Sequence, residues 1–412
     1  MLAYGFNSSV GTNLTIANWY YMHPAISWID IIIFINFIFL LIGNLNFFKL
    51  RVSNLEKKQI YLICMLSGWL IIATSVNSFR FEVEFSSIFP SLKLLYYIIV
   101  MYIVKSYAEV YGIVYLVVGF FIGVVAFVLQ SFIEAQVYMY YGIPILWNPN
   151  VVGMTIGMGI MFAALLVVLR LNIVMPLFFI ILFSIFSTLT WSKGAWIVSV
   201  VGITIAMMGV FHNKKYNLNK LWLIIFLISF AFIIYLNFDY LSYILERKTQ
   251  STENIQSVGF RFKMILLSIY TSIHNPFFGL GYDNFYQAQV YSEGLGLQIY
   301  GKDLNAHNAF FQILAVGGIP AFVFFIFIFT TPFLILRKVL LFYYLGKIKS
   351  IVVTLIFAGI MFVFANTQLQ IISQPVFWFF CGIIFSIYSS SLNSLMPPFG
   401  SKVQSLKNRH HV

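Results

Sequence analysis

A few cations stand in segments otherwise short of positive charge: Arg80, Lys93, Lys193, Arg247, Lys248, Arg261, Lys263 and Lys302. Guanidinium and ammonium groups are what a protein uses to hold a phosphate or pyrophosphate, or to take up charge as such a group leaves. The plainer reading of any one of them is interface anchoring, in which a long apolar stem carries its charge out to water. Lys193 fits that reading least. It lies between Trp191 and Gly194-Ala195-Trp196, where two apolar stretches meet in a tight corner, and a charge so placed is costly without a partner.

Histidines supply the second kind of chemistry. His307 stands at the start of the apolar stretch 308–331. Imidazole is the usual acid or base near neutral pH. A helix N-terminus favours its neutral, basic form, whereas a bound pyrophosphate would favour the charged one. Equally, Asn305, His307 and Asn308 could do no more than cap that helix. His274 has a weaker case, since it leads into the turn Asn275-Pro276-Phe277-Phe278-Gly279-Leu280-Gly281. That turn, with Gly279 and Gly281, could present backbone N–H groups to an oxyanion or serve simply as a turn. His410 and His411 fall in the C-terminal tail and read as solvated.

Other catalytic patterns are missing. The sequence has no P-loop, HExxH or GxSxG. Cys64 and Cys381 both lie in apolar runs and have no metal-ligand spacing. No metal site and no cofactor are expected. The acidic pair of Glu82-Val83-Glu84 is kept as a rival site, against the plain reading of a solvated loop.

The elements that must position these groups are membrane helices. Of 412 residues, 61% are hydrophobic and only 9% charged, and the mean hydropathy is +0.92. A water-soluble fold could not cover that much apolar surface. Apolar spans fall at 26–48, 60–77, 92–104, 112–130, 150–169, 173–190, 194–211, 221–238, 308–331, 350–367 and 374–389. The pattern predicts an all-α integral membrane protein with about eleven or twelve transmembrane helices. The third span is short and has room to extend past Lys93 or Lys105. The first 25 residues hold no Lys or Arg, so no cleavable signal peptide is expected.

The net charge of +12 reports topology, not nucleic-acid binding. With the N-terminus outside, most of the Lys and Arg fall in inner segments such as 49–59, 212–220, 332–349 and the tail 390–412. Most carboxylates then fall outside, Glu56 and Glu109 excepted. This orientation puts 78–91, 131–149, the Trp191–Gly194 corner and the long segment 239–307 on the outer face. The whole chain, 1–412, reads as one membrane domain, and 239–307 as a large outer loop within it. Loops that long tend to be functional, and this one is too aromatic for disorder. Inside it Phe262, Ile265, Leu266 and Ile269 share a helical face, which predicts an amphipathic helix lying on the membrane. The loop reads as a lid that supplies Arg261 and His307 over a membrane cavity, with Lys193 completing the site.

An ordered set of motifs then carries a resemblance. It comprises Thr190-Trp191-Ser192-Lys193-Gly194-Ala195, Arg261 in Gly259-Phe260-Arg261-Phe262, Asn275-Pro276 with Gly279-Leu280-Gly281 and Phe285, and His307-Asn308 followed by Gly317-Gly318. In this order, across residues 150–335, it resembles the O-antigen polymerase/O-antigen ligase superfamily of bacterial inner-membrane glycosyltransferases. The resemblance implies metal-independent, inverting transfer of a glycan from undecaprenyl diphosphate to a hydroxyl at the periplasmic face. It implies Arg261 on the diphosphate, Lys193 where the family usually has Arg, and His307 assisting the acceptor hydroxyl or orienting the diphosphate. Arg247 and Lys248 are weaker diphosphate candidates. The implied partners are an undecaprenyl-diphosphate-linked oligosaccharide, the bilayer and a polysaccharide chain-length regulator. The Phe-, Tyr- and Asn-rich composition and the single His at 307–308 favour a polymerase over a ligase acting on lipid A-core. A flippase is disfavoured, because the spans lack central charges and visible repeats.

Overall fold

A computed structural model describes residues 53–81, 88–137, 149–169, 174–189, 193–211, 252–282, 284–297, 306, 308–342, 346–367 and 375–395. All regular elements among the described residues are helical. They are α1 (Asn54–Phe81), α2 (Phe89–Tyr111), α3 (Ile113–Val137), α4 (Pro149–Val168), α5 (Val174–Leu189) and α6 (Lys193–Phe211). α7 (Thr252–His274) is followed by two 3-10 turns (Phe285–Tyr291 and Glu293–Leu295). α8 (Ala309–Phe342), α9 (Lys347–Thr367) and α10 (Pro375–Leu395) complete the set.

Every expected span that falls among the described residues is a helix, while 26–48 and 221–238 lie outside them. The short third span is α2, which runs through both Lys93 and Lys105. Lys105, expected in an inner connection, is instead buried within that helix. Asn54–Arg80, Ser91–Tyr111 and Ala309–Leu341 are long and apolar enough to cross a membrane, with shorter apolar helices beside them. These helices make the chain a membrane protein.

α4 is buried on all sides from Val152 to Leu169, as expected of a helix that is apolar all round. It packs on α3, α5 and α6. The T-shaped contacts of Phe162 with Phe120 and Phe379 join it to α3 and α10. α1 and α10 pack on either side of α2, where Tyr97 stacks on Trp378. α8 lies against α1, α7, α9 and α10.

α8 is not one continuous helix. Gly318 has φ 71° and ψ −171°, and Pro320 follows it. Positive φ is cheap only for glycine, and proline has no N–H to give the carbonyl four residues back. That carbonyl belongs to Val316. Ile319 N–H, which would have bonded Ala315, turns to Pro276 O at 2.8 Å. The break therefore strands the Ala315 and Val316 carbonyls inside an apolar bundle, where a missing partner costs about 1–3 kcal/mol each.

Candidate functional site

The turn after α7 repairs that break. Leu280 N–H donates to Ala315 O at 3.0 Å and Gly281 N–H to Val316 O at 2.8 Å. Backbone must approach backbone for this. A Cβ on Gly318 would overlap the Phe277 carbonyl oxygen, and one on Gly279 would overlap that of Ala315. Gly279, at φ 56°, also donates to Asn275 O at 3.0 Å.

α1 holds the turn from the other side. Thr74 Oγ1 accepts Tyr282 N–H at 2.9 Å, and Asn77 Nδ2 donates to Phe278 O at 3.3 Å. Trp69 donates to Gly317 O at 2.9 Å while its ring stacks on Phe278, centroids 5.3 Å apart. In the last turn of α1, Arg80 Nη1 donates to Asn275 Oδ1 at 3.3 Å. Charge counting assigned Arg80 and Asn275 to the same side of the membrane, and here they touch.

The amides of Gly279, Leu280, Gly281 and Tyr282 are thus all occupied by acceptors within the protein. The turn acts as a structural joint between α7, α8 and α1. The anion-cradling alternative has no amide left among these four.

The loop helix forms as α7, with Met264, Leu267, Ser268 and Thr271 buried. Its other face turns outward: Phe262 is 60% exposed and Ile273 66%, with Leu266 and Ile269 also exposed and Ile265 half-buried. That is the face the sequence assigned to the membrane. Arg261 is half-buried and, at helical spacing, lies on the side of Ser268 and Ser272, which are buried.

The start of α8 is capped. Asn308, buried, accepts from Phe310 N–H at 2.9 Å and Phe311 N–H at 3.2 Å through Oδ1. One turn on, Gln312 Oε1 reaches back to accept Ala306 N–H at 2.7 Å. The capping role of Asn308 is therefore realised, and both neighbours of His307 are fixed in place. His307 itself lies outside the described residues, as do Arg247, Lys248, Lys302 and Glu82–Glu84.

Lys193 opens α6, and its side chain lies outside the described set. The corner it begins is stapled by Trp196 Nε1 to Ser187 O at 2.8 Å and by Ser199 Oγ to Ser187 Oγ at 2.7 Å.

The sequence reading missed what α1 contributes. Its signal was present as Trp69, Thr74, Asn77 and Arg80, polar-capable residues spaced about a turn apart in an otherwise apolar span.

Comparison with known families agrees with the motifs. Residues 177–326 match the family model described as O-Antigen ligase. No curated protein matches the chain. The matched stretch runs from α5 through the joint into α8, and over it the chain is similar to the O-antigen ligase/polymerase superfamily.

Proposed function

We propose that the protein is a bacterial inner-membrane glycosyltransferase that extends a lipid-linked glycan, an O-antigen polymerase working at the periplasmic face. The observation that carries this reading is the coincidence of the matched stretch with the joint. The helix bearing Arg261, the turn and the cap beside His307 are tied into one scaffold at the break in α8.

In this reading Arg261 and Lys193 hold the diphosphate of the undecaprenyl carrier. Arg247 and Lys248 are further cations for it. The acceptor hydroxyl attacks the anomeric carbon from the face opposite the diphosphate. The new C–O bond forms as the bond to the diphosphate breaks, and its electron pair leaves on undecaprenyl diphosphate. His307 takes the hydroxyl proton or orients the diphosphate. Cations in a water-poor site stabilise that departing charge more than they would in water. Lys193 supplies charge without the bidentate fork of Arg, so Arg261 carries the directional contact. A polysaccharide chain-length regulator is the partner that would set product length.

Arg261→Ala and His307→Ala should each abolish long-chain glycan while the protein still reaches the membrane. Normal ladders from both would sink the site. A second reading, the ligase, is favoured by the description of the matched family. Purified protein given only lipid-linked repeat units separates the two. Polymer formed without lipid A-core supports the polymerase, and product that appears only when lipid A-core is added supports the ligase.

A further inference from the structure

At the C-terminal end of α7, side chains from three elements converge around one buried amide. Asn275 is 5% exposed. Its Oδ1 accepts from Arg80 of α1, and its Nδ2 donates at 2.7 Å to the hydroxyl of Tyr291 on the first 3-10 turn. Because the Tyr291 oxygen accepts there, its own proton remains to donate elsewhere.

Next to Asn275 in sequence, His274 is exposed. Its Nδ1 lies 2.9 Å from Tyr270 O, and its ring packs between Tyr270, centroids 4.4 Å apart, and Tyr291, 5.4 Å apart. A carbonyl can only accept, so Nδ1 carries the proton in that contact. The ring is held in one orientation with Nε2 on its far side. Gly294 packs closely against the half-buried Tyr270, since a Cβ there would lie 2.9 Å from its hydroxyl. The rim thus offers aromatic faces, a phenol donor, an imidazole nitrogen and a guanidinium.

We propose that Arg80, Tyr270, His274 and Tyr291 form a glycan-binding subsite at the end of α7, with Asn275 as the positioning residue beneath it. The subsite rests on the reading that this protein handles a lipid-linked glycan, and it names where the sugars lie. Aromatic faces pack on the apolar C–H face of a pyranose, and donors and acceptors around them read its hydroxyls. A diphosphate would ask instead for clustered cations and has no use for aromatic faces. Spacing agrees. Arg261 is thirteen residues before His274 on the same helix, about 20 Å at 1.5 Å per residue. That is the reach of a short oligosaccharide from a diphosphate held near Arg261. Arg80 lies outside the matched stretch 177–326, so the subsite brings in a helix the family match does not cover.

The test uses the full chain in lipid nanodiscs. Its probe is the producing cell's own polysaccharide, released from its carrier by mild acid, with dextran as an unrelated polymer. Binding is read by saturation-transfer NMR and calorimetry, and folding by thermal unfolding. His274→Ala and Tyr270→Ala are each expected to raise Kd about five-fold or more, a loss of about 1 kcal/mol. Tyr291→Phe keeps the ring but loses the hydroxyl that holds Asn275, and should raise Kd about three-fold and lower Tm modestly with the protein still folded. It keeps the test decisive if a truncation fails to fold. In a transfer assay, acceptor KM should rise with kcat nearly unchanged.

Equal binding by wild type and all three variants overturns the subsite, as does dextran binding as tightly as the native glycan. A fall in kcat at constant KM also overturns it. If wild type binds glycan at this rim but transfers none under any acceptor, the proposed function fails and the subsite stands. If it transfers normally and the variants bind as wild type does, the subsite alone fails.

Discussion

At its N-terminal end α1 sets Glu56 against Lys105 of α2, 2.7 Å apart, with side chains 1% and 2% exposed. At its C-terminal end the same helix bonds through Thr74, Asn77 and Arg80 to the turn that fills the break in α8. The first end confines full charges. Glu56 also closes a capping box with Ser53, whose backbone N–H donates to its carboxylate while Ser53 Oγ accepts Glu56 N–H at 3.3 Å. Glu109 adds a second carboxylate 3.8 Å from Lys105, and Gln59 ties the end to Ile328 O of α8 at 3.0 Å. The second end uses neutral groups on backbone carbonyls and amides, and keeps its one charge at the rim.

The difference is one of freedom. Buried charges tolerate nothing but complete compensation, so the Glu56–Lys105 end is a fixed clamp between helices. Neutral bonds to the turn leave Arg80 exposed at the rim, where its charge does not unbalance the core. α1 is thus anchored by paired buried charge at one end and by neutral hydrogen bonds at the other.

Five substitutions would break or sharpen this contrast. Gly318→Ala should be the most damaging. It forces a side chain into φ 71° and onto the Phe277 carbonyl, a cost of about 4 kcal/mol or more. Little folded protein should survive detergent extraction, and a wild-type melting curve would show that the joint is not needed. Next, Lys105→Met leaves Glu56 buried without its counter-charge, at about 3–5 kcal/mol. Adding Glu56→Gln should restore much of that loss. A double-mutant cycle on thermal unfolding measures the coupling, and strict additivity would refute the clamp.

Thr74→Val strands the buried Tyr282 N–H and should cost about 1–3 kcal/mol, read as a lower Tm with the protein still folded. Arg80→Gln should have the smallest effect on stability, with Tm within scatter, yet shorten the glycan ladder. If Arg80→Gln lowers Tm as far as Lys105→Met does, the two ends are not different in kind.

Some of this was open to reading from the chain alone. Apolar runs located α1–α6 and α8–α10, because in a bilayer length and hydropathy leave a backbone little choice but helix. The face of α7 carrying Phe262, Ile265, Leu266 and Ile269 followed from spacing; Phe262, Leu266 and Ile269 are exposed and Ile265 is half-buried. The capping of α8 by Asn308 was one of two readings of Asn305-His307-Asn308, and the structure realises it.

The partners of the Gly279–Gly281 turn were not legible. A structural turn was the plainer of its two readings and the structure bears it out, but which backbone the turn would meet is decided only by its neighbours. Those neighbours are Thr74 on one side, and Ala315 and Val316 on the other, far away in sequence. For the same reason the sequence could only group Arg80 with the other candidate cations, whereas the fold sets it against Asn275.

The sequence by itself determined that this is a helical membrane protein and where its apolar spans fall, although 308–331 read as one unbroken span and the break in α8 was not expected. Gly318 and Pro320 dictate that break locally, by conformational freedom and a missing donor. Which groups satisfy the stranded carbonyls, which cation meets Asn275 and which buried lysine finds a carboxylate were settled by the tertiary structure alone. Each of those partners comes from a different element of the chain, and no local pattern records which elements lie side by side.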